Sequence, residues 1–208
     1  MTVRPFGDRA FLIELEQRID PAIVDRCRAI ADAWEALGHG EAIPAYASVV
    51  LGFDPARMAW PVAAAAARSL AASAPVAPAV SESRMIEIPT VYDGPDLEDT
   101  AARSGLSADA LVALHCGREY RAFFLGFMPG LAYCGMLDGR IDAPRLQAPR
   151  PRVAAGSVGI ANGQTVVYPV DSPGGWRLIG RTDRAMFDPR RDPPALVRAG
   201  DRVRFVPR

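Results

Sequence analysis

The chain has 208 residues, half of them hydrophobic, and its 24 basic side chains balance 24 acidic ones. That is enough apolar material to bury a sizeable core, and it excludes a disordered chain. Every basic residue is arginine, so there is no Schiff-base amine, no phosphate-loop lysine and no lysine to carry biotin or lipoate.

Residues 2–6 and 10–15 read as two short strands around the Gly7-Asp8 turn. Asp20 is placed to cap a helix starting at Pro21, a favoured first position. Ile23, Cys27, Ile30, Ala31, Trp34 and Leu37 recur at helical spacing, and Gly38 ends the pattern. Residues 43–53 are strand-like; Asp54-Pro55 restarts a helix that continues through 62–72. The order ββαβ(β)α predicts a small α/β sandwich over 1–80, with helices on one face of the sheet. The segment SAPVAPAVSES (73–83) reads as a linker.

A second domain is expected over 84–208. It begins with a strand at 84–91, then two short helices at 95–103 and 108–116, the second capped by Ser107. An apolar strand follows at 120–127. Residues 158–161 and 164–168 flank Asn162-Gly163, the strongest short hairpin signal in the chain. Further strands at 177–180 and 202–206 complete a pattern that suggests a barrel or compact sandwich.

The charge is unevenly divided. Residues 1–144 carry 12 Arg against 19 acidic side chains, and residues 145–208 carry 12 Arg against 5 Asp. Either the C-terminal third faces an anion or a charged partner, or the positive part lies against the negative part. The arginines do not alternate with exposed aromatics, which argues against nucleic acid. The longest low-charge stretch, 58–80, is interrupted by Pro61, Arg68, Pro75 and Pro78, which argues against a membrane span. Three cysteines without framework spacing, and no signal-type apolar stretch in residues 1–15, where Arg4, Asp8, Arg9 and Glu14 intervene, lead to the expectation of a reduced, cytoplasmic setting.

The densest polar punctuation lies in RLQAPRPRVAAGSVGIANGQTVVYPVDSPGGWRLIGR (145–181). Ala155 to Gly159 misses the nucleophile-elbow pattern because position 155 is alanine. His115, Cys116 and Cys134 match no zinc spacing, so no metal is expected. What remains is a loop constellation. Gln164, Thr165 and Tyr168 lie on one hairpin arm, and Asp171 and Ser172 precede Pro173-Gly174-Gly175-Trp176. Arg145, Arg150, Arg152, Arg177 and Arg181 supply forked donors suited to carboxylate or phosphate. The Gly174-Gly175 pair either presents N–H groups to an oxyanion or simply makes a tight turn beside a core tryptophan. His115, near a helix end, either satisfies the core or acts in catalysis if the fold brings it to these loops.

Taken together, the words VRPFGDRAFLIEL (3–15), GLSADALVALH (105–115), FLGFMPGLAYCGML (124–137), the run 143–182 and RAGDRVRF (198–205) resemble the family of the bacterial 5-oxoprolinase B subunit. The same family has been labelled allophanate hydrolase subunit 1 and KipI, a sporulation-kinase inhibitor. The resemblance implies an α+β protein, with a small α/β N-terminal domain followed by a cyclophilin-like β-barrel. It implies a non-autonomous hydrolase subunit that works with subunits A and C to open the lactam of 5-oxoproline to L-glutamate. ATP would be used by the complex and bound mainly outside this chain, with no metal or covalent cofactor. The alternatives within the resemblance are an allophanate hydrolase or urea carboxylase-type subunit, and an inhibitor of a sensor histidine kinase. Joined to the polar constellation, it offers His115, Gln164 and Ser172 as catalytic residues. Arg150, Arg152, Gly156, Ser157, Thr165, Tyr168, Gly174, Gly175, Trp176 and Arg181 would bind a small carboxylate-bearing substrate. LAYCGM replaces the commoner FPYLGG, and Asp171 stands where Glu is usual.

Overall fold

Alternating apolar residues define the first sheet. The computed structural model describes residues 1–73 and 83–208. It divides into two compact units, Met1–Ser81 and Glu82–Arg208. The expected linker, 73–83, lies outside the described residues except at its two ends. In the first unit, strands β1 (Thr2–Pro5), β2 (Ala10–Glu14), β3 (Ala42–Pro44) and β4 (Ser48–Gly52) form an antiparallel sheet in the order β1-β2-β4-β3. Phe11 and Ile13 of β2 and Val49 and Leu51 of β4 fall on one face, as a two-residue period requires. Helix α1 (Pro21–Ala36) lays Cys27, Ile30, Ala31 and Trp34 into the same core, and α2 (Trp60–Ser73) adds Ala63, Ala64, Ala67 and Ala71. The Asp20 carboxylate accepts the Ala22 N–H at 2.8 Å, so the predicted cap forms. Two local readings change. The strand read over 43–53 is split by a turn in which the Ala45 N–H reaches the Ser48 carbonyl at 2.8 Å. Residues 55–58 form only a turn, held by the Asp54 carboxylate on the Ala56 N–H, and the helix starts at Trp60.

The second unit contains β5 (Met85–Thr90), α3 (Leu97–Arg103), α4 (Ala108–Cys116), β6 (Tyr120–Leu125), β7 (Ala132–Gly135), β8 (Arg150–Val153), β9 (Ser157–Ala161), β10 (Gln164–Val167), β11 (Ser172–Gly174), β12 (Arg177–Arg181) and β13 (Arg202–Pro207). Seven of these strands form one sheet in the order β12-β9-β10-β7-β6-β13-β5, antiparallel except for the β13–β5 pair. The sheet curls until its edges meet. Val91, just past β5, exchanges backbone hydrogen bonds with Arg181 at 2.9 and 2.8 Å, and the Asp96 N–H reaches the Leu178 carbonyl at 3.0 Å. Closure demands small residues at the seam. A Cβ on Gly94 would collide with the Leu178 carbonyl, and one on Gly180 with the Val91 carbonyl.

All seven strands send side chains inward: Ile88, Tyr120, Ala122, Ala132, Cys134, Val158, Ile160, Val167, Ile179, Val203 and Phe205 make one buried interior with Leu97 of α3 and Leu111 of α4. This is the α+β architecture expected, a small α/β unit followed by a barrel-like sheet. The Asn162-Gly163 hairpin forms as read, with both residues at positive φ (49° and 80°).

Three strands are not legible in the sequence: β7, β8 and β11. The last two pair only with each other, as a separate two-stranded ribbon. Each carries a proline, Pro151 and Pro173, which an edge ribbon tolerates and a central strand does not. The ribbon helps cover a second apolar cluster on the opposite face of the sheet, made by Val153, Ala161, Val166, Tyr168, Trp176 and Leu178.

The charge division resolves along the seam. Asp93 pairs with Arg181 at 2.9 Å, Asp96 with Arg150 at 2.6 Å, and Asp99 with Arg177. Acidic residues of the negative two-thirds thus neutralise arginines of the positive third within the unit. Among the described residues, no helix is long and apolar enough to cross a membrane.

Candidate functional site

The period-two alternation of β10 sorts the expected site residues onto two faces. Thr165 and Val167 point into the barrel; Gln164 and Val166 point to the opposite face. Inside, His115 of α4 is wholly enclosed, with its Nδ1 2.7 Å from the Tyr92 hydroxyl and its Nε2 2.9 Å from the Thr165 hydroxyl. Phe205 packs on the ring at 4.4 Å between centroids. Burial pushes the His115 pKa down to about 3, so the ring stays neutral. A neutral imidazole needs one donor and one acceptor partner, and two hydroxyls supply both. Burial also raises the Tyr92 phenol above its ordinary value and pushes the Cys134 thiol up to about 12. The interior therefore holds polar groups that are protonated, paired and shielded.

The opposite face is open. Where the β8–β11 ribbon and the turn at 126–131 leave the second apolar cluster uncovered, a cleft of about 410 Å³ including its mouth is lined by Tyr133, Arg145, Val166, Tyr168, Trp176 and the turn Pro173-Gly174-Gly175, with Phe127 and Leu131. Its walls are aromatic: Tyr133 stacks on Phe124 at 4.7 Å and meets Trp176 at 5.8 Å. The Arg145 guanidinium lies 5.7 Å above the Trp176 ring. The Tyr168 hydroxyl lies against the Gly174 backbone of the lining turn. Burial raises the pKa of both Tyr168 and Tyr133, while the Arg145 charge pulls the other way, so both phenols remain donors. Gly174 is required here: a Cβ would strike the Tyr168 hydroxyl. On the rim, Phe127 holds a positive φ of 68° and is 72% exposed.

Of the residues expected to bind substrate, Tyr168, Gly174, Gly175 and Trp176 come together in this cleft. Ser172 sits beside it in β11, and its buried Oγ has no hydrogen-bond partner among the described residues. Gln164 is 4% exposed, with its Nε2 likewise unpaired, on the same strand face as Val166. Thr165 is on the interior face with His115. The arginines divide differently from the expectation. Arg150 is held by Asp96 and reaches the Trp176 carbonyl at 3.4 Å; Arg152 is held by Asp171 at 2.6 Å; Arg181 is held by Asp93. Arg145 carries no ion pair to any described residue and faces the cleft. Gly156, at φ 82°, donates its N–H to the Tyr168 carbonyl and lines another cavity with Thr182 and Asp183; Ser157 is buried in β9. Sequence reasoning left Tyr133, Val166 and Phe127 out of the binding set. Their only local signal was aromatic and apolar character, which a core explains equally well.

The model of the family described as "Carboxyltransferase domain, subdomain C and D" matches residues 1–197. The chain belongs to this family. A family relative, the Bacillus subtilis (strain 168) protein named as a 5-oxoprolinase B subunit, is 38% identical over 225 aligned residues, which cover 99% of this chain and 94% of that protein. The Escherichia coli O157:H7 protein of the same name is 55% identical over 129 residues, spanning 61% of this chain and 59% of its own length. Among solved structures, the crystal structure of TTHA0988 is similar with a TM-score of 0.84 and 37% identity, covering 96% of this chain but 40% of that one.

Proposed function

We propose that this chain is the B subunit of an ATP-dependent 5-oxoprolinase, opening the lactam of 5-oxoproline to L-glutamate together with subunits A and C. The observation that carries the reading is similarity along 99% of the chain to a protein named for that role. The cleft is compatible with it: it offers one guanidinium, two phenols and flat aromatic walls to a small ring acid.

Lactam opening adds one water. The C–N bond breaks, the water oxygen stays on the carbonyl carbon as a second carboxylate, and both water protons end on the nitrogen as an ammonium; the coupled cleavage of ATP to ADP and phosphate consumes a further water. Ring opening needs a proton donor at nitrogen and an activated water. The cleft lining has phenols and a guanidinium but no carboxylate, imidazole or thiol to serve as a base. The role assigned to this chain is therefore to bind and orient, and a partner supplies the base and the nucleotide site. The absence of lysine from the chain supports placing the nucleotide on a partner, since no phosphate-loop lysine exists here.

The test is co-expression with candidate A and C subunits, co-purification, and assay of glutamate from 5-oxoproline with and without ATP. The expected result is a stable assembly whose glutamate formation requires ATP and every subunit. An assembly that forms yet releases no glutamate sinks the reading.

A further inference from the structure

We propose that the cleft between Arg145 and Tyr168 is a monocarboxylate site that admits a flat, otherwise uncharged acid and rejects its ring-opened counterpart, which adds a second carboxylate and an ammonium. In the setting of the proposed function it would take the lactam acid and release glutamate; the identity of that ligand rests on the lactam-opening reading, whereas the site itself does not.

The sign of the ligand follows from the lining. Arg145 is the one charged side chain there, no carboxylate faces it, and it forms no ion pair with any described residue. The neighbouring arginines Arg150, Arg177 and Arg181 are each held by a carboxylate of the barrel seam, and Arg152 by Asp171. Arg145 alone of the five keeps its donors for a ligand. Its guanidinium carbon lies 5.7 Å from the Trp176 ring centroid, and its forked N–H donors suit bidentate contact with a carboxylate.

The shape follows from the walls. The Trp176 and Tyr133 rings and the Val166 side chain give the cleft flat, apolar walls that suit a small planar ring. The Tyr168 hydroxyl, in the same lining, offers an O–H to a ligand oxygen. Exclusion of the opened form follows from the same inventory. A second carboxylate would find no second cation, and an ammonium would find no carboxylate. An unpaired charge pressed against apolar walls costs far more than a neutral amide.

The experiment measures binding of three ligands to the full chain, alone and in any co-purified assembly, by calorimetric titration. The ligands are 5-oxoproline, cyclopentanecarboxylate and glutamate. The expected order places both ring acids at least about 10-fold tighter than glutamate. Arg145→Gln should weaken both ring acids by about 10-fold or more and leave the melting temperature unchanged; Arg145→Lys should recover part of the loss. Arg140→Gln, at an exposed pair with Asp138 that is not part of the lining, should bind as the parent does. Equal binding by the parent and Arg145→Gln overturns the proposal, as does equal binding of glutamate, or no binding of any ring acid in either preparation. The two readings fail separately. Ring-acid binding that depends on Arg145, without glutamate formation by the assembly, leaves the site standing and removes lactam opening. Glutamate formation indifferent to Arg145→Gln does the reverse.

Discussion

One residue of strand β10 separates two polar clusters built on opposite plans. Thr165 points inward to His115 and Tyr92, where every polar atom named has a partner and the imidazole is sealed from solvent. Val166 points outward to the cleft, where Arg145 pairs with no described carboxylate and Phe127 stands exposed in a left-handed backbone. A buried group with satisfied partners is explained by the fold that needs it. An unpaired charge and a strained, exposed aromatic are not, and they mark the face that a ligand or partner would complete. The difference teaches that burial alone displaces a pKa in this protein: the His115 ring is shifted because it is sealed.

The sharpest way to break this comparison is at His115. Replacement by Ala leaves a cavity and strands the Tyr92 and Thr165 hydroxyls, so a loss of about 3 kcal/mol of stability is expected in urea titration. The same residue predicts a pH dependence. Its folded pKa, about 3, lies below the ordinary histidine value near 6.5, so between those limits the unfolded chain binds a proton that the folded one refuses. The contribution is fully present above about pH 6.5 and is lost as pH falls toward 3, at on the order of 1 kcal/mol per pH unit. His115→Gln should flatten that slope. An unchanged slope, or a His115→Ala protein as stable as its parent, would mean the interior is not sealed as described.

A smaller effect is expected at the seam. Asp96 accepts from Arg150 at 2.6 Å and from the Leu178 N–H at 2.6 Å. Asp96→Ala leaves both donors without that acceptor, and about 2 kcal/mol should be lost, with faster amide exchange at Leu178. Amide protection equal to that of the parent would show that the backbone bonds close the barrel unaided.

The smallest effect has the opposite sign. Phe127→Gly removes a side chain that is 72% exposed and relieves a positive φ, so the melting temperature should hold or rise, by up to about 1 kcal/mol in stability. A marked loss of stability would mean that the ring packs on the cleft rather than serving its rim.

Much of the fold was legible because its signals are short-range. The Asp20-Pro21 helix start and the Asn162-Gly163 hairpin are local chemistry, and both form as read. The ribbon strands were not legible, because Pro151 and Pro173 are turn signals in isolation and become strand residues only where an edge leaves proline without a ladder partner. At the site, Tyr168, Gly174, Gly175 and Trp176 were visible as a dense polar and glycine-rich run, and they do converge. His115 and Thr165 were visible as reactive types, yet nothing local says that one faces a core and the other faces it.

The sequence by itself determined the family, the order of elements, the absence of lysine chemistry and the concentration of arginine near the glycines. The tertiary structure alone decided which of the five loop arginines pairs with no described carboxylate. The partners of Arg150, Arg177 and Arg181 lie 54, 78 and 88 residues away, brought to them only when the sheet curls and its edges join. Charge pairing over such separations is a property of barrel closure, and closure is a long-range event that no local pattern encodes.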